Sequence, residues 1–269
     1  MKTGYNPVNE WYTLAHDTHP AEHFMSRLHY HNSYEMFILI NGSTTMLVND
    51  KLITLEKNDI VFLKPDDLHK NNGGAKHERY ALHFTMNYLR TYFTDTAINS
   101  IIQNFDKDKL TFTSSAFASI HEFLNKLEHN EKYAYLYIAE IMSIVENKKN
   151  IVQEKINRDN STVNSILEYI HSNYADISGL DDIAREMHIT KQYMCHLFKK
   201  HTLVTVSDYL NNVRINNACE MLHTEDMNIT ETAMQCGYNS PMYFCKVFKK
   251  IVHMTPNEYK KHIENNSFL

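Results

Sequence analysis

His29, His31 and Glu35 share parity in the chain, so on one strand they would project from one face. With His69 they would bring together three imidazoles and a carboxylate, a donor set that suits a divalent transition metal. The other reading is that these four residues line a sugar-type pocket, or simply hydrogen-bond inside a β-barrel. That reading is preferred, since a chain with 17 His places some at apt spacings by chance. No cofactor is therefore expected, with a metal at His29, His31, Glu35 and His69 as the alternative. Tyr30, Tyr34, Phe37, Phe62 and Tyr80 could stack on a ligand, although aromatic side chains in a small barrel more commonly build its core. Trp11 would belong to an arm that covers the pocket.

The elements that must hold these residues read as strands over residues 24–90. The apolar run 37–40 ends at Asn41-Gly42, a tight-turn signal. Asn49-Asp50 separates residues 44–48 from 52–55, and residues 59–63 are stopped by Pro65. Short strands with regular turns suggest a small β-barrel or sandwich. Residues 114–147 read as two helices, with Phe117, Ile120, Leu124 and Leu127, then Tyr135, Ile138, Ala139, Met142 and Val145, spaced at three and four. Either both pack on the barrel, or part of their apolar surface is a homodimer seam. Residues 146–161 carry no periodic apolar side chains and read as a linker. The expected division is 1–147, an effector-binding and dimerising domain; 148–161, a linker; and 162–269, an all-α domain. The fold class is α+β.

The all-α part contains an internal repeat. Tyr193, Cys195, Phe198-Lys199-Lys200, Thr205 and Tyr209 recur fifty residues later as Tyr243, Cys245, Phe248-Lys249-Lys250, Thr255 and Tyr259. Upstream the offset is forty-nine, Ala184 matching Ala233, so the turn of the second unit, which holds Gly237-Tyr238, is one residue longer. Thr190 and Ser240 are placed to cap the second helix of each unit, and Asn228 with Glu231 forms a capping-box pattern. Val206, Leu210, Val213, Ala218 and Leu222 mark a longer helix between the copies.

The outward faces carry the chemistry of nucleic-acid reading. Gln192, Cys195, His196 and Lys199 lie on one face of the first unit, and Met242, Cys245, Lys246 and Lys249 on that of the second. Gln192, His196 and Lys246 suit base edges; Lys199, Lys200, Lys249 and Lys250 suit phosphate. A charged face is also what most solvated helices show, and residues 161–269 hold ten Lys/Arg against twelve Asp/Glu, so charge gives no support. The repeated spacing does. Parallel reading helices would enter successive major grooves, roughly 34 Å apart.

Residues 163–262 closely resemble the DNA-binding domain of AraC/XylS-type regulators. The resemblance runs through Leu180-Asp181-Asp182-Ile183-Ala184, His188-Ile189-Thr190, Leu197-Phe198-Lys199-Lys200, Val213-Arg214-Ile215, Ile229-Thr230-Glu231, Cys236-Gly237-Tyr238-Asn239-Ser240 and Thr255-Pro256-Asn257-Glu258-Tyr259. It implies two helix-turn-helix units joined by a long helix, with base-contacting positions on Gln192, Cys195, His196, Met242, Cys245 and Lys246. Thr190, Lys191, Asn239 and Ser240 join the expected DNA-binding set. Pro241 stands at a first helical position, where it is tolerated. The family usually has glycine after each reading helix; this chain has Leu203 and His253, which would cost roughly 1 kcal/mol each if a left-handed turn persists. Gly179 resembles an insertion. His29, His31 and Glu35, then Gly42, Asp59-Ile60, Pro65 and His69, resemble the two cupin motifs, and such regulators often carry a cupin-like effector domain.

A net charge of -5, 43% apolar residues and only six Gly and five Pro exclude fibrous and low-complexity classes. No apolar h-region opens the chain, and no run approaches a membrane span of about 20 residues. The four cysteines read as reduced thiols, and a cytoplasmic location is expected. The leading expectation is a regulator of promoter DNA responsive to a small, sugar-like molecule, and one that would recruit RNA polymerase if it activates. Ligand binding would be relayed through the helices at 114–147. The alternatives are a metal-dependent enzyme with a DNA-binding tail, which predicts stoichiometric metal, and a ligand-independent regulator governed by a protein partner.

Overall fold

The computed structural model describes residues 11–21, 28–152, 161–224 and 227–266. The N-terminal half is built from β1 (Tyr12–His19), β2 (Tyr34–Asn41), β3 (Ser43–Val48), β4 (Lys51–Glu56), β5 (Asp59–Leu63), β6 (His69–Gly74), β7 (His77–Phe84), β8 (Lys109–Phe112) and β9 (Ile151–Val152). Helices α1 (Met86–Tyr92), α2 (Asp95–Asn104), α3 (Ser114–His129) and α4 (Ala134–Glu146) are packed on it. One sheet runs β1-β7-β2-β5-β8-β9 and the other β4-β3-β6.

Strand alternation divides the first sheet's side chains between two cores. Phe37 and Leu39 of β2 and Val61 and Leu63 of β5 meet Met46, Val48, Ile53 and Leu55 of the second sheet. Their neighbours Tyr34, Met36, Ile38, Ile60, Phe62, Tyr80 and Leu82 face the helices, against Phe117, Ile120, Leu124, Leu127, Ile138, Met142 and Val145. The periodic apolar residues of α3 and α4 are thus largely consumed by the chain's own core.

Three expectations change. Asn41-Gly42 does not close a hairpin: β2 pairs with β5 and β7, whereas β3 pairs with β4 and β6. Gly42 (φ +82°) instead turns the chain from one sheet to the other, and a Cβ there would stand 2.0 Å from the Lys76 carbonyl oxygen. Trp11 leads into β1, an edge strand on β7, instead of an arm over the pocket. Within the expected linker, β9 pairs with β8, and residues 153–160 lie outside the described residues.

The C-terminal half is helical throughout: α5 (Ser161–Asn173), α6 (Leu180–Glu186), α7 (Lys191–Thr202), α8 (Val206–Thr224), α9 (Ile229–Gln235), α10 (Pro241–Val252) and α11 (Pro256–Asn266). The two repeats are α6–α7 and α9–α10, and the second turn is one residue longer, as the offset requires. Gly179 is the N-cap of α6, where the Asp182 carboxylate accepts from the Ser178 and Gly179 N–H groups at 3.0 and 3.1 Å. Leu203 and His253 adopt the left-handed conformation at φ +57° and +65°, so both family glycine positions keep their geometry without glycine.

Candidate DNA-reading faces and the histidine cluster

Each reading helix starts on a side-chain cap. The Tyr193 N–H donates to Thr190 Oγ1 at 3.2 Å, and the Tyr243 N–H to Ser240 Oγ at 3.3 Å. Met194 and Phe198 of α7, and Phe244, Val247 and Phe248 of α10, are buried. That leaves Gln192, His196, Lys199 and Lys200 exposed on α7, with Met242, Lys246, Lys249 and Lys250 on α10; Asn239 before α10 is also exposed. Cys195 and Cys245 are partly exposed at matching places. Lys191 pairs with Asp181 at 2.9 Å, and Lys250 stands 3.6 Å from Asp208. Tyr193 and Tyr243, matched by the repeat and about half exposed, lie outside the DNA-binding set expected from sequence. A groove of about 690 Å³ between the units is lined by Lys199, Lys246 and Lys250 with Asn211 and Asn212 of α8.

The two units are tied by Arg214 of α8. It is buried, and it donates from Nε to Tyr174 O at 2.9 Å and from an Nη to Ile177 O at 2.6 Å. The second turn closes on the same point, since a Cβ on Gly237 would meet the Ala175 carbonyl oxygen at 2.3 Å.

In the N-terminal domain the structure gathers His31, Glu35 and His69, which are 3%, 4% and 2% exposed. His31 Nε2 lies 2.9 Å and His69 Nε2 3.4 Å from Glu35 Oε2. His83 completes the group at 3.9 Å. It escaped sequence reading because only the register Glu35↔His83 between β2 and β7 brings it there. His29 sits beside the group, its ring centre 4.1 Å from that of His69, and residues 29 and 69 form a two-way backbone bridge. Burial, reinforced by His69, lowers the His29 pKa to about 2. Burial also lowers that of His83. Burial would lower His31 as well, but the hydrogen bond and charge of Glu35 raise it overall. For Glu35 burial works upward, yet the surrounding histidines, His83 foremost, hold the carboxyl well below its ordinary range. Two imidazoles and a carboxylate whose donor atoms lie within 4.8 Å of one another are a donor set of the type that suits a transition metal.

Three aromatic expectations are corrected. Tyr80 points to the helix side: its ring stacks on His16, and its hydroxyl is 2.9 Å from both Asn125 Oδ1 and Glu128 Oε2 of α3. Tyr30 leaves the domain altogether, its hydroxyl 3.3 Å from Cys219 Sγ of α8. Phe37 is core between the sheets, with Arg79 over its ring.

Tyr30 belongs to a wider pattern. Along residues 28–31 and 68–72, odd positions face the barrel interior and even positions face the helical domain. His29, His31 and His69 are in the cluster, and Asn71 binds Thr44 and Gly73 inside the barrel. Leu28, Tyr30 and Leu68 join the core of the helical domain. Lys70 Nζ donates to Leu203 O at 3.3 Å and Asn72 Nδ2 to His201 O at 3.2 Å, both at the C-terminal end of α7. Asn216 donates to Asp66 O at 3.1 Å, and the Tyr209 hydroxyl to Asn49 O. The periodic apolar residues of α3 and α4, by contrast, are packed in the other core.

Comparison with known proteins agrees with both halves. A model of AraC-like ligand-binding domains matches residues 10–141, and a helix-turn-helix domain model matches residues 183–262. The Msm operon regulatory protein of Streptococcus mutans is 21% identical over 254 residues, 87% of this chain and 86% of that one. An uncharacterized HTH-type transcriptional regulator of Escherichia coli, YijO, is 27% identical over 141 residues, 51% of this chain and half of that protein. The lactose operon transcription activator of Staphylococcus xylosus is 28% identical over 134 residues, 49% of this chain and 47% of that one. Among solved structures, ToxT from Vibrio cholerae aligns over 94% of this chain and 98% of its own at 18% identity, with a TM-score of 0.39.

Proposed function

The chain belongs to the AraC/XylS-type DNA-binding transcriptional regulators, a family of regulators and not of enzymes, and from that premise we propose how its two halves work together. The outward faces of α7 and α10 read promoter DNA, and the N-terminal domain answers to an effector held at the histidine cluster. One observation carries the coupling: the runs 28–31 and 68–72, which supply His29, His31 and His69, touch the helical domain with every second residue.

For DNA, the support lies in two capped helices whose exposed faces repeat at matching positions. Gln192, His196 and Lys246 would contact base edges, and Lys199, Lys200, Lys249 and Lys250 phosphates, with Thr190, Lys191, Asn239 and Ser240 at the helix starts. An effector that binds the two interdomain arrangements unequally would shift their populations. The sugar form of this reading draws on the relative named for a lactose operon. A sugar would need residues 28–31 and 68–72 to part, since the cluster's facing atoms are only 2.9–3.9 Å apart. Homodimerisation would use Tyr133, Tyr135 and Leu136, which remain exposed at the start of α4. Action in the cytoplasm, and contact with RNA polymerase in activation, complete the proposal.

A gel shift on the protein's own upstream DNA tests the core of it. A sequence-specific complex at moderate salt, weakened by Gln192→Ala and by Lys246→Ala, is expected. Equal affinity for the upstream fragment and for scrambled DNA would overturn the reading.

A further inference from the structure

We propose that an exposed cleft of the N-terminal domain, walled by Trp11, Tyr12, Tyr88, Tyr92 and Tyr135 and edged by Glu131, binds an organic ammonium cation. It shares no residue with the histidine cluster or with the reading faces of α7 and α10.

Thr85 fixes two of the walls. Its N–H donates to Trp11 O at 3.1 Å, and its Oγ1 accepts from the Tyr88 N–H at 3.2 Å to start α1. Tyr88 and Tyr92, four residues apart on one face of that helix, hold their ring centres 4.9 Å from each other. Tyr12 of β1 lies 5.8 Å from Tyr88, and Trp11 stands edge-on to Tyr92 at 6.4 Å. Tyr135, at the start of α4, stacks on Tyr92 at 5.6 Å. A hollow of about 270 Å³ lies among these rings. A second, of about 540 Å³, continues it toward His16, and Trp11, Tyr12 and Glu131 line both. Trp11, Tyr92 and Tyr135 stay about half exposed, and large apolar side chains gathered in the open mark a binding surface.

Two observations choose the occupant. The first is the Tyr88 hydroxyl. Tyr88 is only 2% exposed, and its hydroxyl oxygen is buried without a hydrogen-bond partner. Such orphaned groups are few in a folded chain and costly, so a partner from outside the chain accounts for this one. The second is charge. Glu131 forms no ion pair among the described residues. Lys132, the one basic side chain of the smaller hollow, is turned aside over the Tyr133 ring at 5.4 Å. In the larger hollow, Glu128 is already engaged by His16 at 3.1 Å and by the Tyr80 hydroxyl at 2.9 Å.

Ring faces carry negative charge, and a cation set against several of them is attracted by each. Glu131 adds a counter-ion at the edge. A hydroxyl or N–H on the same ligand supplies the partner that Tyr88 lacks. An anion would be repelled by the rings and by Glu131, and a neutral ligand would gain from neither. Tyr135 also stands in the seam proposed for a homodimer, so a bound cation and a second copy would compete for one ring.

Trp11 is the only tryptophan of the chain, so its emission reports on this cleft alone. Full-length protein is titrated in separate arms with choline, with spermidine and with the neutral alcohol in which carbon replaces the choline nitrogen. Expected is a saturable change in tryptophan emission with choline or spermidine, the arm that responds telling a quaternary ammonium from a polyamine, and none with the neutral alcohol. Affinity should fall about fivefold or more in Tyr92→Leu and in Glu131→Gln. Glu131 is exposed, so Glu131→Gln decides if Tyr92→Leu fails to fold by circular dichroism. No saturable change with either ammonium probe overturns the site, as does unaltered affinity in Glu131→Gln. An equal response to the neutral alcohol, or a response only to a neutral disaccharide, overturns the class of ligand. Emission that changes with protein concentration alone, in step with dimer formation in sedimentation, and that ignores both ammonium probes makes the cleft a seam between copies and overturns the proposal.

Discussion

Arg214 holds its guanidinium carbon 5.3 Å from the centre of the Tyr238 ring while donating to the carbonyls of Tyr174 and Ile177. One side chain of the connecting helix thereby touches the turn after α5 and the turn of the second repeat. Arg214→Met would leave two carbonyls without their donors, a cost of about 2–3 kcal/mol. Arg214→Lys would recover only part of it, since an ammonium lacks the planar fork that reaches both oxygens. Urea unfolding followed by helical circular dichroism checks the order Arg, Lys, Met.

Leu203 and His253 are expected to accept glycine with a gain. Each sits at a positive φ that costs an L side chain roughly 1 kcal/mol, and the Leu203 side chain is exposed enough that little packing is lost. Leu203→Gly and His253→Gly should each raise the urea midpoint with an unchanged slope. A drop in midpoint for both would show that the left-handed turns are not strained.

The reading half was largely legible in the sequence because a repeat declares itself by spacing. Helix positions three and four apart, and capping residues directly before them, are local properties, so Thr190, Ser240 and the longer second turn could be read without a fold. The sensor half was less so. His31, Glu35 and His69 were found from parity, but His83 reaches them only through the pairing of β2 with β7. Tyr30 and Tyr80 were assigned to the wrong surfaces for a related reason. Aromatic type says that a ring will be buried; only the register says in which of the cores. The half-exposed edge strand β1 lacks the apolar alternation that would have announced it, and β8 alternates Leu110 with Phe112 over only four residues, too short a run to stand out.

Thiol chemistry should separate the four cysteines. Cys195 and Cys245 are partly exposed on the reading faces, whereas burial pushes the Cys219 and Cys236 thiols up to about 12. Iodoacetamide on native protein is expected to modify the first pair and spare the second, with mass spectrometry as the readout. Bound upstream DNA should slow modification of Cys195 and Cys245. Unaltered rates would place both thiols away from the duplex.

Acid should destabilise the protein through His29. Its pKa is lowered to about 2 in the fold, against an ordinary value of 6.5, so below pH 6.5 the unfolded chain binds a proton that the folded chain refuses. Stability then falls with pH by about 1.4 kcal/mol per unit per such group. His83, also lowered by burial, acts in the same direction, while His31, raised by Glu35, opposes it. His29→Phe should flatten the loss between pH 6 and pH 5 by about 1 kcal/mol, measured by urea unfolding at each pH.

The two readers are expected to be unequal. Gln192 and His196 offer hydrogen bonds to base edges, whereas Met242, at 83% exposure the most open large apolar side chain of the described residues, offers only an apolar contact. Gln192→Ala should relax sequence preference more than Met242→Ala in a binding-site selection, and the reverse order would make α10 the principal reader.

The alternation along residues 28–31 and 68–72 also sets the kind of mutation this sensor can survive. Substitution at an odd position changes what the barrel interior holds and leaves the facing interface composed as before; substitution at an even position does the converse. Gain or loss of one residue in either run exchanges the two sets at once, turning histidines toward Cys219 and Tyr30 into the barrel. Divergence of ligand specificity should therefore proceed by replacement at fixed length, with insertions and deletions confined to the loops outside these runs.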